Sequence, residues 1–325
     1  MENLPNIDLL KKILENYMFN VDGAAAVAIC DRDGFIIASE SKMKDEQNAD
    51  SVMGVISAFL DIYIDRIKAE YQTQNNFFNI TSMADKKFAY CSMGPHSILT
   101  TIADPNTPDI ELRVFSEHIA GKIELLLEGH DSISIEIPEI IKVLSKTRGG
   151  KLPKGTFTSK IILTGDYQVG KTSLIKRFVE NNFVDDYIST LGVSISKKTI
   201  VMGDETTLNF VIWDVGAQNF TMTPYRKRFY EGATGAFIVV DRTRPNNLVS
   251  IDNWFDDIKK SVPSNIPMVI VANKSDLTDE LIATEVEIKE IAKRHGFHYI
   301  LTSAKSGENV NEAFLYLAYR FIEKV

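Results

Sequence analysis

Apolar residues in the first 130 positions recur at helical spacing in three segments and form strand-like runs in five others. The predicted helices are 7–17, 49–71 and 110–127, and the predicted strands are 24–30, 35–38, 77–82, 88–93 and 97–102. Arg32, Asp33 and Gly34 are typical of a tight turn between the first two strands. The order helix, two strands, helix, three strands, helix predicts an α+β layer with an antiparallel sheet.

From residue 158 onward, strands and helices alternate. The strands are short apolar runs without strict alternation, as expected for a sheet that is covered on both faces. They are predicted at 160–164, 208–213, 236–240, 268–271 and 299–302, and the helices at 172–180, 248–260, 284–295 and 310–323. Gly203 and Asp204 join a run at 193–202 to one at 207–215, which predicts a hairpin that inserts one antiparallel strand. The pattern predicts a doubly wound α/β domain with a six-stranded, mostly parallel sheet.

Length and charge support two domains. The chain has 325 residues, which corresponds to about two domains. The net charge of −8 is unevenly distributed, because residues 1–150 carry a net −9 and residues 151–325 a net +1. We predict an interaction domain at 1–130, a linker with a short helix at 131–157, and a second domain at 158–325.

Composition excludes several classes of protein. Hydrophobic residues make up 44% and charged residues 25%, as in ordinary globular proteins. The acidic balance argues against nucleic acid as a partner. Neither a membrane-spanning apolar stretch nor a signal peptide is apparent, so we expect a cytoplasmic protein. Cys30 and Cys91 have no histidine at metal-ligand spacing, and we expect both to be small buried residues.

A phosphate-binding motif follows the first strand of the second domain. Residues 165–172 read GDYQVGKT, which matches the pattern G-x-x-x-x-G-K-[ST]. The glycines let the backbone N–H groups and the next helix N-terminus surround a polyphosphate. Lys171 can reach the β- and γ-phosphates, and the Thr172 hydroxyl suits Mg²⁺.

Two later loops indicate which base is bound. Residues 273–276 read NKSD at the end of a strand, where the Asp276 carboxylate can accept two hydrogen bonds from guanine N1 and N2. After the last strand, Ser303, Ala304 and Lys305 supply backbone N–H groups for guanine O6. Adenine lacks that donor pair, so the motifs predict GTP or GDP as the nucleotide and disfavour an ATPase.

With these motifs, residues 158–325 resemble the small GTPases of the Ras superfamily, in the style of the Rab group. The resemblance implies that residues 187–193 form the first switch, with Thr190 on Mg²⁺ and the γ-phosphate, and that 213–218 form the second. It places Phe183 against guanine, makes Thr172, Thr190 and Asp214 the metal ligands, and makes Gln218, Lys171 and Thr190 catalytic. The residues expected to contact the nucleotide are Gly165, Asp166, Tyr167, Gln168, Val169, Gly170, Lys171, Thr172, Ser173, Phe183, Thr190, Asp214, Ala217, Asn273, Lys274, Asp276, Ser303, Ala304 and Lys305.

The sequence departs from this family at two positions of the active site. Ala217 stands where the family has the glycine before the glutamine, and Tyr167 fills a phosphate-loop position that the family commonly gives to a small residue. Because the phosphate loop has no arginine to complete the charge neutralisation, we expect slow hydrolysis, on the order of 10⁻⁴ to 10⁻² per second without an activating partner. Tyr167 is expected to slow it further by crowding the γ-phosphate, whereas Gly216 is expected to supply the flexibility that Ala217 lacks. An alternative is an assembly scaffold that binds GTP or GDP without hydrolysing it. The arginines outside the phosphate loop are expected to be surface or salt-bridge residues, namely Arg226, Arg228, Arg242 and Arg244.

Residues 5–130 resemble the roadblock family of small dimerisation domains, in their order of elements and in the Asp33-Gly34 turn. Longin-like and profilin-like folds share much of this order. The resemblance implies a homodimer, or pairing with a roadblock-family partner, through residues 49–82. The alternative is that the domain folds onto the switches of the same chain and regulates them. Regulators and effectors are expected at the switches. No direct membrane anchor is expected, because the last residues lack a cysteine for prenylation and the first lack the Met-Gly start of myristoylation.

Overall fold

A computed structural model of the chain describes two compact units, Met1–Gly150 and Lys151–Val325, here called the N-terminal and C-terminal units. The residues it describes are 6–31, 33–43, 49–58, 77–83, 85–94, 97–129, 133–146, 152–183, 192–202, 206–216, 223–245, 248–262 and 265–325, with the backbone alone for 223–226. Among the helices in these ranges, none combines the length and the apolar character that crossing a membrane requires.

The N-terminal unit contains a five-stranded antiparallel sheet in the order β2-β1-β5-β4-β3. Its helices are α1 (Ile7–Asn20), α2 (49–58), α3 (Asp109–Leu127) and α4 (Glu139–Ser145), and its strands are β1 (Ala24–Asp31), β2 (Ile36–Ser41), β3 (Phe78–Ser82), β4 (Lys87–Met93) and β5 (Ser97–Ala103). This is the predicted order of elements. Of the predicted long helix at 49–71, residues 59–71 lie outside the described part of the chain.

Two adjacent threonines of β5 show that helices cover both faces of this sheet. Thr100 Oγ1 lies 2.7 Å from Ser57 Oγ of α2. Thr101 Oγ1 lies 3.1 Å from the hydroxyl of Tyr17 in α1, which in turn lies 3.0 Å from Ser116 Oγ of α3. Successive side chains of a strand point to opposite faces. Therefore α2 covers one face, and α1 and α3 cover the other.

The C-terminal unit contains a six-stranded sheet in the order β11-β10-β9-β6-β8-β7, in which the β7–β8 pair is antiparallel and the other pairs are parallel. The strands are β6 (Gly155–Gly165), β7 (Val193–Met202), β8 (Thr206–Val215), β9 (Gly235–Asp241), β10 (Met268–Asn273) and β11 (His298–Leu301), and the helices are α5 (Lys171–Glu180), α6 (Thr223–Tyr230), α7 (Ser250–Ser261), α8 (Glu285–His295) and α9 (Val310–Ile322). The predicted architecture, with one antiparallel strand, is the one observed.

Two details of this unit differ from the predictions. Strand β6 begins at Gly155, so residues 155–157 belong to the sheet and not to the predicted linker. The reason is pairing, because 155–157 run parallel to 206–208 of β8 and extend the ladder in spite of a glycine that favours a loop. Helix α6 was not predicted, since its sequence TPYRKRFY has a weak apolar stripe.

Four phenylalanines form the centre of the core under α5 and α9. The Phe314 ring of α9 stacks on Phe178 of α5 at a centroid distance of 3.9 Å. It meets Phe237 of β9 edge-on at 4.9 Å and Phe210 of β8 at 6.2 Å. All four side chains are buried. These contacts fix α5, and with it the loop that precedes α5, against the sheet.

Candidate functional site

The carboxyl ends of the parallel strands bring the sequence motifs to one edge of the sheet. Strand β6 ends at Gly165, β9 at Asp241 and β10 at Asn273, while Asp214 lies next to the end of β8. In open α/β sheets, ligands bind beyond this edge. The phosphate loop and the loop at 273–276 are therefore neighbours, although about 100 residues separate them in the sequence.

The phosphate loop requires glycine at both of its ends. Gly165 has φ +136°, and a Cβ there would lie 2.2 Å from the carbonyl oxygen of Val239. Gly170 has φ +98°, and a Cβ there would lie 2.2 Å from Asn273 Nδ2. Both conformations favour glycine, and both spaces exclude any larger residue. Gly170 is also the N-cap of α5 and has no side chain to occupy the first N–H groups of that helix.

Lys171 is buried beneath the loop that it follows. Its Nζ donates to the carbonyl oxygens of Gly165 and Asp166, each at 2.8 Å. An ammonium group has three N–H donors, so one remains for a further acceptor. Burial lowers the pKa of Lys171 to about 8, against the opposing effects of Asp214 and Asp166. An anionic ligand beside Lys171 would favour the charged ammonium form and so raise this pKa again.

Thr172 and Asp214 form a pair of hard oxygen donors at the start of α5. The Thr172 hydroxyl donates a hydrogen bond to Asp214 Oδ2, and the Asp214 side chain is buried. A hydroxyl and a carboxylate beside a phosphate site fit Mg²⁺, which takes one or two protein oxygens together with phosphate oxygens. The other predicted metal ligand, Thr190, lies outside the described residues, as do Ala217 and Gln218.

Asn273 joins the phosphate loop to the two guanine loops. Its Nδ2 donates to the carbonyl oxygen of Val169 at 2.9 Å. Its Oδ1 accepts from the Ala304 N–H at 3.1 Å and from Thr302 Oγ1 at 3.3 Å. Asn273 is 1% exposed, and its buried side chain links its own loop to the phosphate loop and to the loop after β11.

The carboxylate predicted to read the base is oriented by the neighbouring loop. Asp276 Oδ1 accepts a hydrogen bond of 2.6 Å from Ser303 Oγ. Lys274, between Asn273 and Asp276, has φ +66°, and its Nζ lies 2.7 Å from Asp241 Oδ2. The structure thus brings Asp276 next to Ser303, as it brings Asn273 next to Ala304. Phe183 is half-buried three residues after the end of α5.

Sequence reasoning missed the side chains that support these loops. Arg177 of α5 donates from Nε to the carbonyl oxygen of Ala304 at 3.0 Å and from Nη2 to that of Lys305. Trp254 Nε1 of α7 donates to Asp166 Oδ1 at 2.9 Å. The sequence carries no signal for either contact, because neither residue belongs to a motif.

The prediction for the outer arginines was wrong for Arg242 and incomplete for Arg244. Arg242 is 8% exposed, and its guanidinium lies 3.2 Å from Ser275 Oγ under the guanine loop. Arg244 pairs with Asp241 and also binds the phosphate loop. Arg228 is exposed, as predicted, and the Arg226 side chain lies outside the described part.

A strand, a glycine-bounded loop and a helix with a buried lysine, at the carboxyl edge of a doubly wound sheet, define a P-loop nucleotide-binding protein. The chain belongs to the Ras family, whose family model matches residues 160–323. It is a Rab-like GTPase that binds GTP or GDP with Mg²⁺. The matched residues lie within the C-terminal unit.

Individual relatives agree with this assignment. The chain is 34% identical over 166 residues to the Ras-related protein Rab-1D of Dictyostelium discoideum, which covers 51% of this chain and 80% of the relative. It is 37% identical over 170 residues to the Ras-related protein Rab-1 of Theileria annulata, covering 51% of this chain and 75% of the relative. For Rab-1 of Theileria parva the identity is 36% over 170 residues, with the same coverage.

Proposed function

We propose that the chain is a GTP-driven switch in which the loops at the carboxyl ends of the parallel strands together bind one guanine nucleotide. The observation that carries the proposal is the pair of hydrogen bonds made by the Asn273 side chain. Its Nδ2 donates to the Val169 carbonyl oxygen at 2.9 Å and its Oδ1 accepts from the Ala304 N–H at 3.1 Å, so the phosphate loop and the base loop are held at a fixed separation. A fixed separation is expected where both loops bind the same ligand.

The phosphate end of the nucleotide is assigned to residues 165–173. The loop N–H groups and the N-terminus of α5 bind phosphate oxygens, and the remaining donor of Lys171 serves the β- and γ-phosphates. Thr172, Asp214 and Thr190 would hold Mg²⁺, and the bound metal would supply positive charge beside the phosphates. Gln218 orients the water that attacks the γ-phosphorus, so that GTP and water give GDP and inorganic phosphate.

The base is assigned to the loops around Asp276. The carboxylate, oriented by Ser303, accepts the N1–H and N2–H hydrogens of guanine. The Ala304 N–H already donates to Asn273, so its contact with guanine O6 would be a shared, three-centre hydrogen bond. Lys274 and Phe183 complete the walls of the base site.

Fluorescent GDP binding and single-turnover GTP hydrolysis test this function. We expect tight Mg²⁺-dependent binding and phosphate release on the order of 10⁻⁴ to 10⁻² per second. Gln218→Ala should slow phosphate release and leave GDP affinity within about twofold, because the side chain acts only on the attacking water. Tight binding with no phosphate release would favour the alternative of a non-hydrolysing scaffold.

We further propose that the N-terminal unit is a roadblock-type module that pairs with a second copy or a related domain through residues 49–82. Two features support this surface: Val52 and Val55 of α2 are 37% and 55% exposed, and β3 is an edge strand of the described sheet. An edge strand offers unpaired backbone groups to another sheet.

Light scattering of the purified chain tests the pairing. Val55→Glu should convert a dimer to a monomer, because it places a charge in an apolar contact. Phe19→Glu is the matched control, since Phe19 is 84% exposed on α1 outside the proposed surface. A monomeric wild-type chain, or equal effects of both variants, would rule out this homodimer.

A further inference from the structure

The backbone at the centre of the phosphate loop is held by an arginine from outside the loop. Arg244 Nη1 donates to the carbonyl oxygen of Tyr167 at 2.8 Å, and its Nη2 donates to Gln168 Oε1 at 2.8 Å. We propose that Arg244 is a positioning residue for nucleotide binding, which sets the orientation of the Tyr167–Gln168 peptide and thereby the β-phosphate contact of the loop.

The orientation of that peptide decides where its N–H points. In a trans peptide, the C=O and the next N–H point in opposite directions, and the structure contains no cis peptide in the described residues. Because the Tyr167 carbonyl points at Arg244, the Gln168 N–H points away from Arg244. We place this N–H on the concave side of the loop, where a polyphosphate needs donors.

The conformation of Gln168 shows why this peptide needs an external partner. Gln168 has φ +63°, in the left-handed region that few non-glycine residues adopt. Such a backbone persists where its surroundings hold it. The Arg244 guanidinium holds this residue twice, through the preceding carbonyl oxygen and through its own side chain.

Arg244 is in turn fixed by a buried carboxylate. Its Nε lies 3.3 Å from Asp241 Oδ2, and the same oxygen lies 2.7 Å from Lys274 Nζ. Burial acts to raise the pKa of Asp241, but hydrogen bonds from Lys274 and Thr243 outweigh it and lower the pKa. Asp241 is therefore a charged anchor that the phosphate loop and the guanine loop share.

Two further contacts limit what the loss of Arg244 would do. Trp254 Nε1 donates to Asp166 Oδ1 at 2.9 Å, and Lys171 Nζ donates to the Asp166 carbonyl oxygen at 2.8 Å. These contacts remain in an Arg244 variant. The loop should keep its course and lose only the fixed orientation of one peptide, which affects the phosphates and leaves the base site intact.

This inference rests on the proposed function, and the affinities for GDP and GMP test both. We expect Arg244→Gln to weaken GDP binding about tenfold, as for loss of charged hydrogen bonds, and GMP binding by at most about twofold. The GDP affinity of Arg244→Lys should lie between those of the wild-type chain and Arg244→Gln, since a lysine keeps the charge beside Asp241 but lacks the planar fork of donors. Arg294→Gln is the control, because Arg294 also pairs with an aspartate but lies outside the site.

The outcomes separate the two hypotheses. Failure of the wild-type chain to bind GDP or GMP would overturn the proposed function. Wild-type binding with an unchanged ratio of GDP to GMP affinity in Arg244→Gln would overturn the positioning role alone. An equal loss for both nucleotides together with a lower melting temperature would also overturn it, because that result indicates a general structural role.

Discussion

Arg177 of α5 donates from Nε to the backbone carbonyl oxygen of Ala304 across 3.0 Å. The helix that begins at the phosphate loop thus also holds the loop that follows β11. Arg177 is the counterpart of Arg244, because each arginine fixes the backbone of one nucleotide loop from outside it.

Arg177→Gln should therefore weaken base recognition and leave the phosphate contribution unchanged. We expect about a tenfold loss of affinity for GDP and a similar loss for GMP, since both carry guanine. Competition against fluorescent GDP measures both affinities. A loss confined to GDP would contradict the assignment of Arg177 to the base loop, and Arg294→Gln again serves as the control.

Replacing Asp276 should change which base is bound. Asp276→Asn removes the acceptor for guanine N2–H, and we expect a loss of GDP affinity of about 100-fold or more. The new amide can donate to the C2 oxygen of xanthine, so affinity for xanthosine diphosphate should rise. Asp279→Asn, a change of an exposed carboxylate three residues further on, should alter neither affinity. Unchanged GDP binding in Asp276→Asn would contradict the base assignment.

The Tyr167 side chain provides a test of slow hydrolysis. It is 40% exposed, while the Tyr167 carbonyl oxygen is bound by Arg244. We expect single-turnover phosphate release on the order of 10⁻⁴ to 10⁻² per second in the wild-type chain and faster release in Tyr167→Gly. Tyr167→Phe is the control, because it keeps the ring and should not raise the rate. Fast wild-type release, unchanged by Tyr167→Gly and Ala217→Gly, would contradict the hypothesis.

The contrast between Lys171 and Arg244 shows how much of the site the sequence could predict. Lys171 stands at a fixed offset from two glycines, so spacing alone predicted its place. Arg244 reaches the same loop from 76 positions away and binds a backbone carbonyl oxygen, which any residue type supplies. Contacts of that kind leave no residue pattern, and the support of the loops was accordingly missed.

In the fold, too, local patterns were predictable from the sequence and long-range contacts were not. Strong apolar periodicity predicted α7 and α9 to within about two residues of their ends. The sequence predicts a linker at Gly155 because glycine favours loops, whereas pairing with Thr206 in β8 places Gly155 in a strand. Tertiary pairing decided that residue, and a single sequence carries no record of the partner strand.

Phe314 connects the core to the site and gives the last prediction. Its ring stacks on Phe178 at 3.9 Å and meets Phe237 edge-on at 4.9 Å, so Phe314→Ala leaves a cavity under α5. We expect the free energy of unfolding to fall by about 3–5 kcal/mol, measured by guanidinium denaturation of the nucleotide-free chain. Val286→Ala, at a side chain that is 67% exposed on α8, should cost less than about 0.5 kcal/mol. Equal stabilities of Phe314→Ala and Val286→Ala would contradict the role of this core in holding α5. Because α5 carries Lys171 and Thr172 at its first turn, Phe314→Ala should also speed GDP release.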